Sequence, residues 1–194
     1  MRAAGEATRE RILAAAKAEF AEFGVAGARI NRIAAAAHAS KDRLYAYFPG
    51  KTELYAAVTE RWAREIAAET GLSAEDLPGY VGRLFDHFVT HPDNARLQAW
   101  ADLELSDTDI AEVLRDTIAT KVAELRRGQR AGLLTPDIPA PLLLRMLTDL
   151  ARTTAIHARH TAEHFGPEHI RAQRAATVLA AQRIVTGRER GETP

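Results

Sequence analysis

The residues of this chain that could do chemistry fall into two groups. The first is a run of cations, Arg29, Arg32, Lys41, Arg43 and Lys51, with Asp42 as the only acid among them. Five positive charges against one negative leave +4 on residues 29–51. Tyr45 and Tyr47 lie within the run, and a phenol can donate to a phosphate oxygen while its ring packs. That mixture suits a polyanion. The second group is His160-Thr-Ala-Glu-His164, with His157 one turn earlier. Histidines four apart share a helix face, and H-x-x-E-H is a hydrolase metal pattern. Yet seven histidines in a helical chain produce such spacings by chance. No third ligand is identifiable, and a helix C-terminus favours histidine for its dipole alone. Gly50-Lys51-Thr52 ends like a phosphate-binding P-loop, but Tyr45 stands where its first glycine must be. Cysteine is absent, which removes thiol catalysis and cysteine-based zinc sites. No Ser/His/Asp arrangement or glycine-rich dinucleotide loop stands out. No catalytic residue, metal or cofactor is expected, and the chain is expected not to be an enzyme.

The elements that would position the cations are helical. Alanine supplies 39 of the 194 residues, and alanine is the strongest helix former. Charged residues are 27% and apolar ones 46%, which fits a globular chain with a real core. Lys+Arg and Asp+Glu are each 26. The overall charge of zero would argue against nucleic acid, but +4 on residues 29–51 leaves −4 on the rest. No signal peptide or membrane span is evident, and a cytoplasmic protein is expected. Apolar spacing predicts a first helix from a Thr8 cap to Gly24, short helices at 30–37 and 41–47, and a long one over 52–70. Ser73 to Asp76 reads as a capping-box-like start for the next helix, which stops before Pro92. Others follow at 93–105, from Ser106 or Asp107 to Gly132, at 142–164 and at 168–186, with a frayed tail from Gly187. The fold class is therefore all-α, with about nine helices.

Two short helices joined by a three-residue turn have the form of a helix-turn-helix, although a plain αα-hairpin has the same shape. The residues are more specific. Thr8 to Ala16, Phe20-Ala-Glu-Phe-Gly24, Ile33-Ala34, Ser40 to Phe48 and Pro49-Gly-Lys-Thr-Glu-Leu54 resemble, in order and without gaps, the DNA-binding module of the TetR family of bacterial transcriptional regulators. The resemblance covers about residues 6–66, with the helix-turn-helix at 29–48. It implies that Ser40, Lys41 and Arg43 present the base-reading edge, with Arg43 the main base contact. A guanidinium matches O6 and N7 of guanine in the major groove. Tyr45, Tyr47 and Lys51 would hold phosphates, while Ile33, Ala34, Leu44 and Phe48 would be core. Arg29 stands where the family commonly caps the second helix with Thr or Ser, so a phosphate contact is expected there instead of a cap. His38 stands where glycine usually turns the chain. A left-handed residue without glycine's freedom costs roughly 1 kcal/mol.

Residues 71–187 carry no recognisable chemistry. The resemblance implies an effector-binding and dimerisation domain, its last two helices pairing across a two-fold axis. Candidate interface residues are Leu143, Leu147, Ala176, Leu179 and Ala180. Candidate pocket residues are Trp62, Phe85, Phe88, Trp100, Met146, Asp149 and Thr153, for a small apolar or aromatic effector. Asp149 and Arg152 are charges within an apolar stretch, with a mutual ion pair as the simpler explanation. The expected function is a ligand-responsive repressor that binds a palindromic double-stranded operator as a homodimer. The alternatives are a helical binding or interaction protein with a vestigial helix-turn-helix, and a metal-dependent hydrolase at His160, Glu163 and His164.

Overall fold

A computed structural model describes residues 2–104 and 112–186. Among these there are nine α-helices: α1 (Arg2–Gly27), α2 (Ile30–Ala36), α3 (Lys41–Tyr47), α4 (Lys51–Glu69), α5 (Leu77–Thr90), α6 (Pro92–Glu104), α7 (Glu112–Arg130), α8 (Ala140–Phe165) and α9 (Pro167–Thr186). They fall into two compact units. Among the described residues, one is drawn from 2–64, 93–104 and 112–114, the other from 65–92 and 115–186. A single cut near residue 70 does not separate them, because α6 packs with the N-terminal helices.

In the first unit, α1 contributes Ile12, Leu13, Ala16 and Phe20 to a core shared with Ile33, Ala34, Leu44, Phe48, Leu54, Tyr55, Val58 and Leu97. The 12–16–20 spacing puts one stripe on one helix face. Phe20 and Tyr55 meet edge-to-face, ring centres 5.1 Å apart. Thr8 lies inside α1 and is not its cap, because helix continues through the alanines back to Arg2. At Gly24 the backbone takes φ 68°, ψ 179°, the break expected there, and a further turn carries the chain to Gly27.

In the second unit, α5 packs against both α8 and α9. Its Leu77, Tyr80, Val81, Leu84, Phe85 and Phe88 are buried, as are Leu143, Leu144, Leu147, Ala151, Ala155 and Ala158 of α8. The alanine row lets α8 lie close to its neighbours, and Thr177 of α9 hydrogen-bonds Thr154 across that contact at 3.0 Å. Ser73 caps only a three-residue 3₁₀ turn. Asp76 then caps α5, accepting from the Gly79 N–H at 3.1 Å. The expected Ser106 or Asp107 cap, Ile110 and the tail from Gly187 lie outside the described residues.

Candidate nucleic-acid interface

The helix-turn-helix is closed by contacts that come from far along the chain. At the N-terminus of α2, Arg29 offers no side-chain cap. Glu19 of α1 takes over: its Oε1 accepts from the Arg29 backbone N–H at 2.8 Å and from Arg32 Nε at 2.7 Å. A carboxylate at the positive end of a helix is well placed. Glu19 is only 8% exposed. Burial alone would push its carboxyl up, but the Arg32 guanidinium and the Arg29 N–H outweigh that and hold it below the usual range. Arg32 also stacks over the Phe23 ring at 4.1 Å. It is a structural cation, a role invisible while it is counted with the other basic residues. At the other end of α2, Arg11 Nε donates to the Ala37 carbonyl at 3.2 Å.

The turn between α2 and α3 has the left-handed residue that the sequence raised. His38 has φ 51°. The Ala39 N–H bonds the Ala34 carbonyl at 3.0 Å and the His38 N–H bonds Ala35 at 3.1 Å. This is a Schellman ending with histidine in the position glycine usually takes.

On α3, Ser40 Oγ accepts from the Arg43 N–H at 3.1 Å and caps the helix. Lys41, Asp42, Arg43 and Tyr45 are exposed, whereas Leu44 is fully buried. Arg43 lies near the Tyr47 ring, 5.5 Å from its centre. Two expected phosphate holders have partners within the fold. The Tyr47 hydroxyl donates to the Gly5 carbonyl at 2.9 Å, fastening α3 to the start of α1. Lys51 Nζ donates to the carbonyls of Ala26 and Ala28 at 3.3 and 3.2 Å, where it caps the end of α1. The same bonds dispose of the P-loop reading. Of the cations within residues 29–51, Arg29, Lys41 and Arg43 are therefore the ones fully exposed.

Residues matching the family model described as "Bacterial regulatory proteins, tetR family" run from 12 to 58. Those matching the "Tetracyclin repressor-like, C-terminal domain" run from 76 to 183, more than half of the chain. The chain belongs to the TetR family of transcriptional regulators. A similar curated protein is the HTH-type transcriptional repressor SCO4008 of Streptomyces coelicolor, 40% identical over 153 residues, which are 78% of this chain and 80% of the relative. A crystal structure of the transcriptional regulator SCO4942 from Streptomyces coelicolor has 44% sequence identity, covers 92% of this chain and 98% of its own, and superposes with a TM-score of 0.77. Bacillus subtilis FadR in complex with stearoyl-CoA has the same fold at 16% identity, TM-score 0.64, over 89% of this chain and 96% of its own.

In this TetR-family chain the candidate effector residues are divided between the two units. Trp62 and Trp100 belong to the first unit and the other five to the second. Trp100 Nε1 donates to the Ala21 carbonyl at 3.2 Å and pins α6 to α1. Trp62 is 2% exposed, and its Nε1 has no hydrogen-bond partner. Phe85 and Phe88 are fully enclosed. Met146 and Thr153 are exposed on α8. Asp149 pairs with Arg152 at 3.0 Å and Arg145 at 3.5 Å, the simpler of its two explanations.

Two expected interface residues also change role. Leu143 and Leu147 have no exposed area left for a second copy to cover, since α8 turns them into its own unit's core. Leu179 and Ala176 remain exposed and Ala180 half-buried, and Leu142 joins them as an apolar residue left in solvent. His160, Glu163 and His164 are all exposed on α8. Among the described residues, the only cluster able to hold a metal ion is a different one, Glu69 with His87 and His91. The four-residue spacing of His87 and His91 was visible in the sequence. Glu69, eighteen residues before His87, was not. Among the described residues no helix is long and apolar enough to cross a membrane.

Proposed function

We infer that this regulator is a repressor that acts as a homodimer on a palindromic operator and is released by a small molecule with an apolar body. The observation that carries the DNA-binding part is the exposed face of α3, where Lys41 and Arg43 project from a helix whose opposite side is locked by Leu44. Two such helices one DNA turn apart, about 34–36 Å, would enter successive major grooves. Arg43 would read a base, with Ser40 and Lys41 beside it on the base-reading edge, and Arg29 would hold a phosphate. Tyr45 is the phenol that remains exposed on this face. The exposed Leu142, Met146 and Leu179 support dimerisation through α8 and α9. The site of action is the bacterial cytoplasm, on the nucleoid when bound.

Trp62 supports the effector. A buried indole N–H without an acceptor costs about 1–3 kcal/mol, and a ligand oxygen would relieve it. The stearoyl-CoA in FadR supports an apolar ligand body in this fold. Coupling between effector and operator must be reciprocal, so DNA would weaken effector binding by the same factor.

Anisotropy titration with the DNA flanking the regulator's own gene tests the reading. Arg43→Ala is expected to cost about 1–3 kcal/mol and to relax base preference at one position. Specific binding absent from that DNA, or unchanged by Arg43→Ala and Lys41→Ala together, removes the assignment of α3.

A further inference from the structure

We propose that Glu69, His87 and His91 form a binding site for one divalent cation of the zinc, nickel or cobalt class. Glu69 is the last residue of α4, His87 lies in the last turn of α5, and His91 directly follows α5. One carboxylate oxygen serves both imidazoles: Glu69 Oε2 lies 2.6 Å from His87 Nδ1 and 3.7 Å from His91 Nε2. The ligand atoms of the three residues all lie within 4.8 Å of one another. The two rings are 4.8 Å apart and tilted by 42°.

An ordinary histidine–carboxylate pair needs one imidazole, and here two converge on the same oxygen. In a tetrahedral zinc site with bonds of about 2.0–2.2 Å, neighbouring ligand atoms stand about 3.3 Å apart. The present triangle reaches that spacing by small rotations of exposed side chains. Glu69 withdraws from His87 and His91 swings in, and the cation takes the place of the 2.6 Å contact between His87 and Glu69. Burial divides the site in a useful way. The His87 side chain is 1% exposed and fixed against Phe88, ring centres 5.6 Å apart, so one ligand is preorganised. The Glu69 and His91 side chains are 50% and 39% exposed, which gives the ion a route in. Two imidazoles and one carboxylate select borderline cations over magnesium or calcium, which prefer all-oxygen sets. Three protein ligands leave a fourth position for water or an oxygen of another molecule. Because His157, His160 and His164 offer a competing surface for the same ions, the test must tell the two apart.

The test is isothermal titration of the full, untagged chain with zinc chloride, and with cobalt chloride followed by visible absorption. One equivalent of ion per chain is expected, with the intense absorption of four-coordinate cobalt. His91→Ala and Glu69→Gln, both at exposed side chains, should each weaken binding at least tenfold. His160→Ala with His164→Ala should leave that equivalent unchanged. Absence of binding at tens of micromolar ion overturns the site. So does binding that survives His91→Ala and Glu69→Gln, or binding that vanishes with the His160 and His164 changes.

Discussion

At the scale of single residues, the most informative positions are polar groups held away from their ordinary states. Lys121 on α7 is largely buried, its ammonium donating to the Tyr80 hydroxyl at 3.2 Å and lying 3.5 Å from the Thr70 hydroxyl. Burial pushes its pKa down to about 8. The unfolded chain protonates this lysine below about 10.4, the folded chain only below about 8, so folding is penalised below pH 8 and the penalty fades as pH rises toward 10. Burial moves the Tyr80 hydroxyl upward. Above pH 10 the unfolded chain alone loses that proton, and stability falls again. Melting temperature is therefore expected to climb from pH 8 to 10 and then drop. Lys121→Met should gain about 1–3 kcal/mol at pH 7 and flatten the climb, as thermal melts across this range will show. His38 invites the opposite kind of test. His38→Gly should stabilise by about 0.5–1 kcal/mol in chemical denaturation, because φ 51° suits glycine. An unchanged or lower midpoint would mean that the imidazole makes a compensating contact.

At the scale of elements, helices were legible and their fastenings were not. Alanine content and apolar spacing located α2, α3, α4, α8 and α9 to within two residues at each end. These signals are local, and a helix answers to residues three and four apart. Glu19 to Arg29, Tyr47 to Gly5 and Lys51 to Ala26 join residues 10 to 42 positions apart, and no periodicity announces them. The same blindness counted Arg32 with the other cations and assigned Tyr47 and Lys51 to phosphates without showing the partners each has inside the fold. On α8, sequence showed that the helix is apolar around most of its girth but not which leucines face α5. Thus Leu143 and Leu147 were placed outside while Leu142, one position away, is the exposed one. Glu19→Ala should cost about 2 kcal/mol and lower operator affinity through a loosened α2, measurable by denaturation and anisotropy on one sample. Gly128 presents a packing constraint of another kind. A Cβ there would come within 2.5 Å of the Ala74 Cβ and 2.8 Å of Leu134 Cδ1. Glycine inside a helix costs about 1 kcal/mol against alanine, and here it allows α7 to approach the turn before α5. Gly128→Val is expected to lower the melting temperature by several degrees despite valine's lower backbone entropy.

At the scale of the whole molecule, the balanced count of 26 and 26 conceals an uneven distribution. Part of the +4 over residues 29–51 is neutralised internally by Glu19, and what faces outward is concentrated on α3 and the start of α2. If the protein binds DNA as a dimer with the exposed Arg29 on a phosphate, Arg29→Ala removes one phosphate contact per protomer. The log–log salt slope should then fall by about 2, while base preference stays as it was. Leu142→Glu together with Leu179→Glu places charges on the exposed apolar face of α8 and α9. Sedimentation should show a monomer that keeps its helical content and loses cooperative operator binding. A dimer that survives both changes would place the interface elsewhere. The bond from Tyr47 to Gly5 has a practical corollary for all such measurements. Whatever is attached ahead of Gly5 (a purification handle, a fluorophore, residual residues after cleavage) emerges beside α3. A fusion at that end would compete with DNA or lever α3 out of place, and would be mistaken for weak intrinsic affinity. Labels belong at the opposite terminus, and a pair of differently tagged preparations would expose the artefact at once.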